Sequence, residues 1–406
     1  MKKNDKKKFK IGKIAMPKGY SKSMHAAIIF LNLFGFLMIL SANMTAGTNT
    51  TDLVKIAVKE VGFIVVSYFM MVQAARRFSF QKVEKYFIPG TAMILLALIA
   101  TLFFGDARGA KAWIRLGPIT IQPSEFAKIY VILLFAYFLA DRKSLKPGWR
   151  NLWRFIKVPL IISAIIGFIV VILQSDLGSG VVVLGIAYIT MLIPSNPVLS
   201  RMQKIMFGLM FIGFILLFAL TTTPGIRFVE KLNIPPYMIE RFKISSNPFT
   251  DRYGFGYYQI FNGLVALVKG GLLGVGYGQG FIKYSYLPES QNDAILSVIV
   301  EELGMIGYGF VLIGYGTILY QLGKYAFKVR KEKDKMVLIG AISYIMIHFV
   351  FNIGGITALI PLTGVPLLLI SAGGSSRMAI MITLGLAQNV IARHRNQKRS
   401  QRVRTL

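Results

Sequence analysis

The chain has 406 residues, of which 54% are hydrophobic and only 16% are charged, and its formal net charge is +30. A soluble domain of this length is less apolar, and long apolar runs recur along the chain. The composition therefore excludes a soluble protein and predicts an all-α, polytopic membrane protein. The absence of Cys excludes disulfides and thiolate metal sites, and three widely separated His residues argue against a zinc site.

The N-terminal residues 1–24 form a basic segment that contains nine Lys residues. The apolar run that follows is too long for a signal peptide and has no evident small-residue cleavage site, so it is interpreted as the first membrane span. About ten apolar segments approach the roughly 20 residues that a bilayer crossing requires. The predicted spans are 25–46, 53–73, 86–104, 122–140, 156–174, 178–194, 204–222, 293–321, 336–358 and 366–392.

The distribution of Lys and Arg predicts the orientation of these spans. Alternating the loops places most of the 47 Lys and Arg residues on one side, together with both termini. The positive-inside rule makes that side cytoplasmic. We therefore expect a basic cytoplasmic N-terminus (1–24), a ten-span membrane domain (25–392) and a basic cytoplasmic tail (393–406). The tail is expected to be flexible and to face lipid headgroups rather than nucleic acid.

Two predicted outer loops are more than connectors. One is the short loop 105–121, and the other is the extracellular loop 223–292 between spans seven and eight, whose length is typical of functional loops. Both carry cations, although long loops cross the membrane regardless of charge. These cations are Arg108, Lys111, Arg115, Arg227, Lys231, Arg241, Lys243, Arg252, Lys269 and Lys283. Such groups at an outer membrane surface suit phosphate or diphosphate.

The glycine-rich run Gly270–Gly280 within the long loop has two interpretations. Its backbone can approach a phosphate group closely. Alternatively, its small residues allow close packing within the membrane, which is the commoner explanation for such a run.

Several ionisable residues lie at the ends of the predicted spans. Glu289 and Asp293 are four residues apart, hence on one face if the segment is helical. Glu125 and Lys128 open span four with a spacing that permits an ion pair, and Asp176 lies at the junction of spans five and six. A charged group beside lipid is costly, so function is the preferred interpretation for Asp293, Glu125 and Lys128.

The apolar run from Asn352 to Ser376 is interrupted by two Pro residues and a Gly-Gly-Ser-Ser turn. Non-helical backbone at membrane depth is tolerated where protein or a water-filled cavity surrounds it, so this segment is expected to line a cavity. Arg377 follows it and needs a carboxylate partner. The candidates are Glu301, Glu302 and Asp293. His348, Asn352 and Glu302 are interpreted as polar contacts between helices.

Taken in order along the chain, these motifs resemble the SEDS family (shape, elongation, division and sporulation proteins), represented by FtsW and RodA. The resemblance extends from about residue 25 to 390 and is closer to FtsW. It rests on Gly109–Ile114, Ile121–Lys128, Gln174–Ser179, Asn247–Gln259, Tyr286–Glu289 with Asp293, Glu301–Gly304 and Pro361–Ser376. It implies a peptidoglycan glycosyltransferase that polymerises lipid II at the outer face of the bacterial cytoplasmic membrane. Its implied partners are a class B penicillin-binding protein and other divisome or elongasome membrane proteins.

The resemblance also implies roles for individual residues. Asp293 matches the family's essential aspartate and would act as general base for an incoming sugar hydroxyl, which is a poor nucleophile. Cations would hold the departing undecaprenyl diphosphate while the donor linkage is inverted. The candidates are Arg108, Lys111, Lys128 and Arg241. A divalent cation, Mg²⁺ or Mn²⁺, can share that task, although no ligand set is readable.

The remaining implied site residues support this chemistry. Glu125 and Asp176 would position Lys128 and shape the cavity, and Glu289 would orient the loop or the substrate. The matched motifs also assign Gln122, Ser375 and Ser376 to substrate binding.

Some positions depart from the family pattern, and two other classes of function stay open. Gln291 and Asn292 stand where the family usually has His and Thr, Ser175 replaces Pro, and Ala372 replaces Tyr. These departures leave a RodA-type elongation polymerase as the alternative within the family. A lipid II flippase or transporter also fits broken helices and intramembrane ion pairs, although no inverted repeat is evident. A non-catalytic scaffold that recruits a transpeptidase is the third interpretation.

Overall fold

The computed structural model describes residues 15–45, 48–106, 109–117, 119–140, 148–231, 236–249, 255–284 and 287–404. Helices make up nearly all of the regular structure in these ranges. They are α1 (Lys22–Ala42), α2 (Thr50–Arg77), α3 (Phe80–Lys85), α4 (Phe87–Ala100), α5 (Pro123–Leu139), α6 (Trp149–Phe168), α7 (Leu177–Met191), α8 (Ser200–Leu220), α9 (Thr223–Lys231), α10 (Pro236–Ser246), α11 (Phe255–Gly270), α12 (Ile295–Ala326), α13 (Glu332–Ile356) and α14 (Gly374–Arg404). The predicted all-α fold is confirmed, as expected for a chain whose backbone must satisfy its own hydrogen bonds in lipid.

A small β-hairpin occupies part of the short predicted outer loop. Its strands, β1 (Ile114–Leu116) and β2 (Ile119–Ile121), pair in antiparallel fashion with Ile114 opposite Ile121. The hairpin leads almost directly into Pro123, the first residue of α5. Pro suits that position because the first backbone N–H of a helix has no partner within the helix.

Each of the ten predicted spans contains one helix, namely α1, α2, α4 to α8, α12, α13 and α14. Among the described residues, five helices are long and apolar enough to cross a membrane. These are α1, α6 with its π-helical extension to Leu173, α8, α12 and α13. Two shorter apolar helical segments are Phe87–Phe103 and Leu177–Met191. The polytopic architecture is confirmed, while the count of ten spans stays a prediction.

The most extensive helix contact joins α2 and α14. The two helices approach closely because Gly385 of α14 has no side chain, and a Cβ at this residue would lie 2.4 Å from Met71 O. The N-terminal helix α1 likewise packs against the backbone before α14 at Gly35, where a Cβ would lie 2.6 Å from Ile370 Cα. Small residues at such crossings are typical of helices that pack within a membrane.

The helix α8 stands apart from this core. Its side chains are almost all exposed, and Phe207, Phe211 and Phe214 are each more than 60% exposed. A helix that is apolar on all sides suits an apolar environment. The long loop that follows α8 is not structureless, since it contains α9, α10 and α11.

The helix α12 is broken at Gly304, whose φ of +62° and ψ of −159° are not helical. The glycine-rich run packs into this break, with Val275 N donating to Glu301 O (3.0 Å) and Gly276 N donating to Glu302 O (2.9 Å). A Cβ on Gly274 would lie 2.2 Å from Glu302 O. The glycines therefore serve close backbone packing, which is the commoner of the two interpretations that the sequence allowed.

The two ends of the chain meet at one end of the bundle. Gln388 of α14 exchanges two hydrogen bonds with the backbone of Ser21, and Arg395 donates to Tyr20 O. Arg393 forms an ion pair with Asp334 of α13 (2.7 Å). The prediction of a flexible tail is wrong for residues 393–396, because these contacts and that of Asn396 with Lys18 O hold them in place. The helix α14 continues to Arg404.

Candidate active site

Asp293 lies in the turn immediately before α12 and is only 8% exposed. Gln259 of α11 donates from Nε2 to Asp293 Oδ1 at 3.3 Å. The backbone carbonyl of Asp293 accepts from Asn352 Nδ2 of α13 at 2.8 Å. Residues of α11 and α13 therefore both contact Asp293, Gln259 at the carboxylate and Asn352 at the backbone carbonyl. The sequence singled out this aspartate as the candidate base.

The segment 357–373 between α13 and α14 is non-helical, as the two Pro residues and the Gly-Gly-Ser-Ser turn predicted. Gly364 within it has φ of +70°, which an L side chain adopts only with strain. A Cβ on Gly364 would lie 3.6 Å from Asp293 Oδ2. The carboxylate therefore lies directly against this segment.

Arg241 approaches the same segment from α10. Its Nη1 donates to Leu362 O at 2.7 Å, and Ser245 of the same helix donates to Ala358 O at 3.0 Å. Leu362 also borders a narrow cleft beside Asp293. The cleft is lined by Gln259, Ile260, Gly263, Ala294, Ser297, Ile356 and Leu362. Among the predicted diphosphate ligands, Arg241 is thus brought to the segment that borders Asp293.

Unpaired polar oxygens border this cleft and the adjoining segment. Ser297 Oγ, Asn352 Oδ1 and Thr363 Oγ1 are buried and have no hydrogen-bond partner among the described residues. A buried polar atom without a partner is costly, and it is common at functional sites. These oxygens are suited to bind the hydroxyl or amide groups of a polar ligand.

Glu125 and Lys128 form the ion pair that their spacing predicted, with Nζ 2.7 Å from Oε1 and both side chains at most 2% exposed. Glu125 Oε2 accepts from the Tyr344 hydroxyl at 2.8 Å. Lys128 Nζ lies 3.2 Å from His348 Nε2, and His348 Nδ1 lies 3.0 Å from Pro366 O. Lys128 is therefore enclosed in a buried polar network that joins α5, α13 and the segment 357–373.

Gln122 and Asp176 form a second cluster next to this network. Gln122 Nε2 donates to Asp176 Oδ2 (2.7 Å) and to Ser179 Oγ (3.0 Å). Asp176 Oδ1 caps α7 by accepting from Ser179 N at 3.0 Å. Asp176 thus contacts Gln122 and Ser179. The first turn of α7 abuts the segment 357–373, because a Cβ on Gly178 would lie 2.6 Å from Thr363 O.

Glu289 shapes the turn that carries Asp293. Its backbone has a positive φ of +56°, and its carbonyl accepts from Asn292 N at 2.9 Å. The Asn292 side chain donates back to Glu289 Oε2. Gln291 O accepts from Ala372 N at 2.8 Å. The two residues that depart from the family pattern, Gln291 and Asn292, are therefore both used to hold this turn.

The other predicted site residues lie in different surroundings. Arg108 lies outside the described residues. Lys111 is exposed, and its backbone N–H donates to Gln174 O at 2.9 Å. Ser375 and Ser376 are each 8% exposed in the first turn of α14, where Ser376 Oγ donates to Gly373 O. Whether these residues bind substrate stays a prediction.

The partner of Arg377 differs from every candidate that the sequence suggested. Arg377 Nη1 lies 2.6 Å from Glu60 Oε2 of α2. Glu302 instead pairs with Lys283 at 2.7 Å, and Glu301 accepts from the backbone N–H groups of Phe281 and Ile282. Glu302 also accepts from Ser41 Oγ of α1 at 2.6 Å, so the interpretation of Glu302 as a polar contact between helices fits this geometry.

Sequence reasoning did not find Gln259, Glu60 or Tyr344. A signal for Tyr344 was present, because it precedes His348 and Asn352 at intervals of four residues, which places all three on one face of α13. Gln259 ends one of the matched motifs and Glu60 follows Lys59 in α2, but nothing in the local spacing of either residue indicates its partner.

The described residues contain no ready-made cage for a divalent cation. No group of three or more His, Cys, Asp or Glu side chains lies close together within the described ranges. Mg²⁺ commonly takes one or two carboxylates together with substrate phosphates and water.

Together, the fold and the site define a polytopic α-helical membrane protein with a buried carboxylate at a break between helices. The family described as "Cell cycle protein", which comprises FtsW, RodA and SpoVE, matches residues 22–397. The chain belongs to this family, as the resemblance predicted.

Curated relatives of the chain cover almost its full length. It is 29% identical over 383 residues to the probable peptidoglycan glycosyltransferase FtsW of Enterococcus hirae, which covers 91% of this chain and 92% of that protein. It is 30% identical over 386 residues to the protein of the same name from Bacillus subtilis (strain 168). The match covers 92% of this chain and 91% of that protein. It is 33% identical over 298 residues to stage V sporulation protein E of the same organism. The match covers 73% of this chain and 75% of that protein.

Two solved structures share the fold. One is described as "Structural coordination of polymerization and crosslinking by a peptidoglycan synthase complex", with a TM-score of 0.69, 23% identity, and 93% of this chain and 99% of that chain covered. The other is the rod shape determining protein RodA of Thermus thermophilus, with a TM-score of 0.58, 22% identity, and 93% and 97% covered. At this level of identity the likeness bears on the fold.

Proposed function

We propose that this protein is a peptidoglycan glycosyltransferase that polymerises lipid II in cell division. The observation that carries the proposal is the position of Asp293, a buried carboxylate beside a cleft, held between α11, α13 and the segment 357–373. The names of the curated relatives support the same activity.

Asp293 is the general base in the proposed reaction. The 4-hydroxyl of the GlcNAc unit of one lipid II attacks C1 of the MurNAc unit at the end of the growing chain. Asp293 takes the hydroxyl proton as the new bond forms, because a neutral sugar hydroxyl is a weak nucleophile. The C1–O bond to undecaprenyl diphosphate breaks, and the α-linked donor becomes a β-linkage by inversion.

Diphosphate is a good leaving group, so the reaction needs one base and positive charge rather than two carboxylates. Arg241 is placed to supply this charge because its helix lies on the segment next to Asp293. Arg108, Lys111 and Lys128 are the further candidates. Lys128 is enclosed with Glu125 and His348 in the described geometry, so its direct contact with the diphosphate requires that network to open. The divalent cation stays a prediction, which titration with a chelator tests.

The proposed orientation places this site at the outer face of the cytoplasmic membrane, with both termini in the cytoplasm. The concentration of Lys and Arg in the N-terminus, the tail and alternate loops supports it. A class B penicillin-binding protein is the proposed partner, and one solved structure of the same fold is described as a peptidoglycan synthase complex.

A reconstitution in detergent tests the function. The purified protein, its cognate transpeptidase and labelled lipid II are expected to produce glycan strands, and Asp293→Asn is expected to produce none while remaining folded. Asp334→Asn is the matched control, because Asp334 pairs with Arg393 at the other end of α13. A flippase would form no strands in detergent, where there is no membrane to cross. Strands formed by Asp293→Asn at the rate of the unaltered protein would remove Asp293 from the base role.

A further inference from the structure

One face of α13 carries three buried polar residues, Tyr344, His348 and Asn352, at intervals of four residues. Each of them bonds to a group outside α13. Of these three residues, Asn352 contacts the turn that carries Asp293.

The side-chain amide of Asn352 donates to two backbone carbonyls at once. Nδ2 lies 2.8 Å from Asp293 O and 2.9 Å from Val365 O. Asp293 belongs to the turn before α12, whereas Val365 belongs to the segment 357–373. Neither carbonyl lies in a helix, and buried carbonyls need a donor. A single amide group therefore joins the two pieces of chain that meet at the carboxylate.

One helical turn earlier, His348 holds the next carbonyl of the same segment. An ammonium group can only donate, so His348 Nε2 accepts from Lys128 and His348 Nδ1–H donates to Pro366 O. Lys128 is itself held by Glu125. The consecutive carbonyls of Val365 and Pro366 are thus both fixed to α13 by side chains.

These carbonyls directly follow Gly364, against which the Asp293 carboxylate lies. A shift of Val365 relative to Asp293 would therefore change how closely Gly364 lies to Asp293 Oδ2. We propose that Asn352 is a positioning residue that sets the carboxylate of Asp293 against the segment 357–373. This inference rests on the proposed function, in which Asp293 is the base.

The test distinguishes a role of Asn352 in positioning Asp293 from a role in packing alone. Asn352→Leu keeps approximately the size of the side chain and removes both hydrogen bonds. The matched control is Asn32→Leu, because Asn32 is similarly buried (3% exposed) and its amide donates to Ile28 O of its own helix and to Met381 Sδ of α14, away from the turn of Asp293 and the segment 357–373. Initial rates of glycan formation over a range of lipid II concentrations give kcat and KM, and thermal melts in the same detergent give Tm.

We expect Asn352→Leu to lower kcat by about 100-fold with KM nearly unchanged, since small misplacement of a reacting group has effects of that order. Its Tm should fall no further than that of Asn32→Leu, which should keep the kcat of the unaltered protein. Asn352→His keeps one donor near the position of the amide and should recover about tenfold of the lost rate.

An unchanged kcat for Asn352→Leu, an effect on KM alone, or an equal loss of rate in Asn32→Leu would overturn the inference. If Asn352→Leu does not fold, Asn352→Asp, which keeps the size and removes both donors, carries the same expectation. Failure of both variants to fold would make Asn352 a structural residue and also overturn it.

Asp293→Asn is measured in parallel. If that variant is active, the proposed function fails, whereas an inactive Asp293→Asn with a fully active Asn352→Leu refutes the positioning role alone.

Discussion

Arg377 of α14 and Glu60 of α2 form a buried ion pair, with Nη1 2.6 Å from Oε2 and side chains that are 1% and 5% exposed. Arg377 also donates to Ser371 O, in the segment 357–373. Glu60 is the first buried residue of α2. The pair therefore links the N-terminal half of α2 to the start of α14 and to the segment that borders Asp293.

Breaking this pair on one side is expected to destabilise the protein strongly. Arg377→Met leaves the Glu60 carboxylate buried without its cation, and such changes cost about 3–5 kcal/mol. The double variant Arg377→Met with Glu60→Leu should recover most of this loss, because an apolar pair of similar size is often neutral. Unfolding in denaturing detergent measures the free energies. A single variant as stable as the double variant would contradict the expectation.

The structural role of the Glu125–Lys128 ion pair can be separated from a role of Lys128 in binding the diphosphate. Lys128→Met should cost about 3–5 kcal/mol of unfolding free energy, because it leaves Glu125 buried beside Tyr344. Adding Glu125→Gln should restore stability, since the uncompensated charge is then absent. If Lys128 also holds the diphosphate, the stable double variant stays inactive in glycan formation. Full activity of the double variant would restrict Lys128 to a structural role.

A matched control for the Glu125–Lys128 pair exists in α2. Lys55 and Asp52 have the same spacing and are 2.9 Å apart, but their side chains are 72% and 50% exposed. An exposed pair contributes little because water screens it. Lys55→Met should therefore change the unfolding free energy by less than about 1 kcal/mol. A loss comparable to that of Lys128→Met would show that burial is not what distinguishes the two pairs.

Arg241→Ala is expected to raise the KM for lipid II by roughly 10- to 100-fold, the range of a charge-assisted hydrogen bond. Lys243→Ala is the control on the same helix, because Lys243 pairs with Glu230 at 2.6 Å instead of contacting the segment 357–373. Its hydrogen bond with Glu230 raises the pKa of Lys243, so this pair persists through neutral pH. Equal effects of the two substitutions would indicate a general influence of charge rather than a site.

Gly304→Ala is expected to cost about 2 kcal/mol or more of stability, because φ at this residue is +62° and strain of that kind is expensive. The new Cβ would lie 2.3 Å from Leu272 O, so the backbone must also move. Gly309→Ala in the same helix is the control, since no atom lies within 4 Å of its Cβ position. Thermal melting should show a large fall in Tm for Gly304→Ala and little change or a small rise for Gly309→Ala. Similar shifts would mean that the break at Gly304 tolerates a side chain.

Much of the fold was readable from the sequence, since apolar runs of bilayer length predicted where helices lie. The ion pair of Glu125 and Lys128 was also readable, because residues three apart face each other on any helix. The break before α14 followed from Pro and Gly residues that disfavour a helix. The helices inside the loop 223–292 were missed because their apolar stretches are shorter than a bilayer crossing, and those of α9 and α10 are also interrupted by charges.

The partners of isolated polar residues were not readable. Glu60 follows Lys59 in α2, but its partner Arg377 is 317 positions away. Gln259 reaches Asp293 because α11 packs on α12, which no spacing in the sequence records. Local periodicity says which face a residue occupies but not which other helix that face will meet.

The sequence by itself determined the membrane class, the approximate helix positions, the break before α14 and the choice of Asp293 as the candidate base. These depend on hydrophobic length and local backbone preferences, which neighbouring residues express. The tertiary structure alone decided that Asn352, Gln259 and Gly364 surround Asp293 and that Glu60 neutralises Arg377. Buried polar groups take whichever partner the helix packing brings within hydrogen-bonding distance, and that packing is a property of the whole chain.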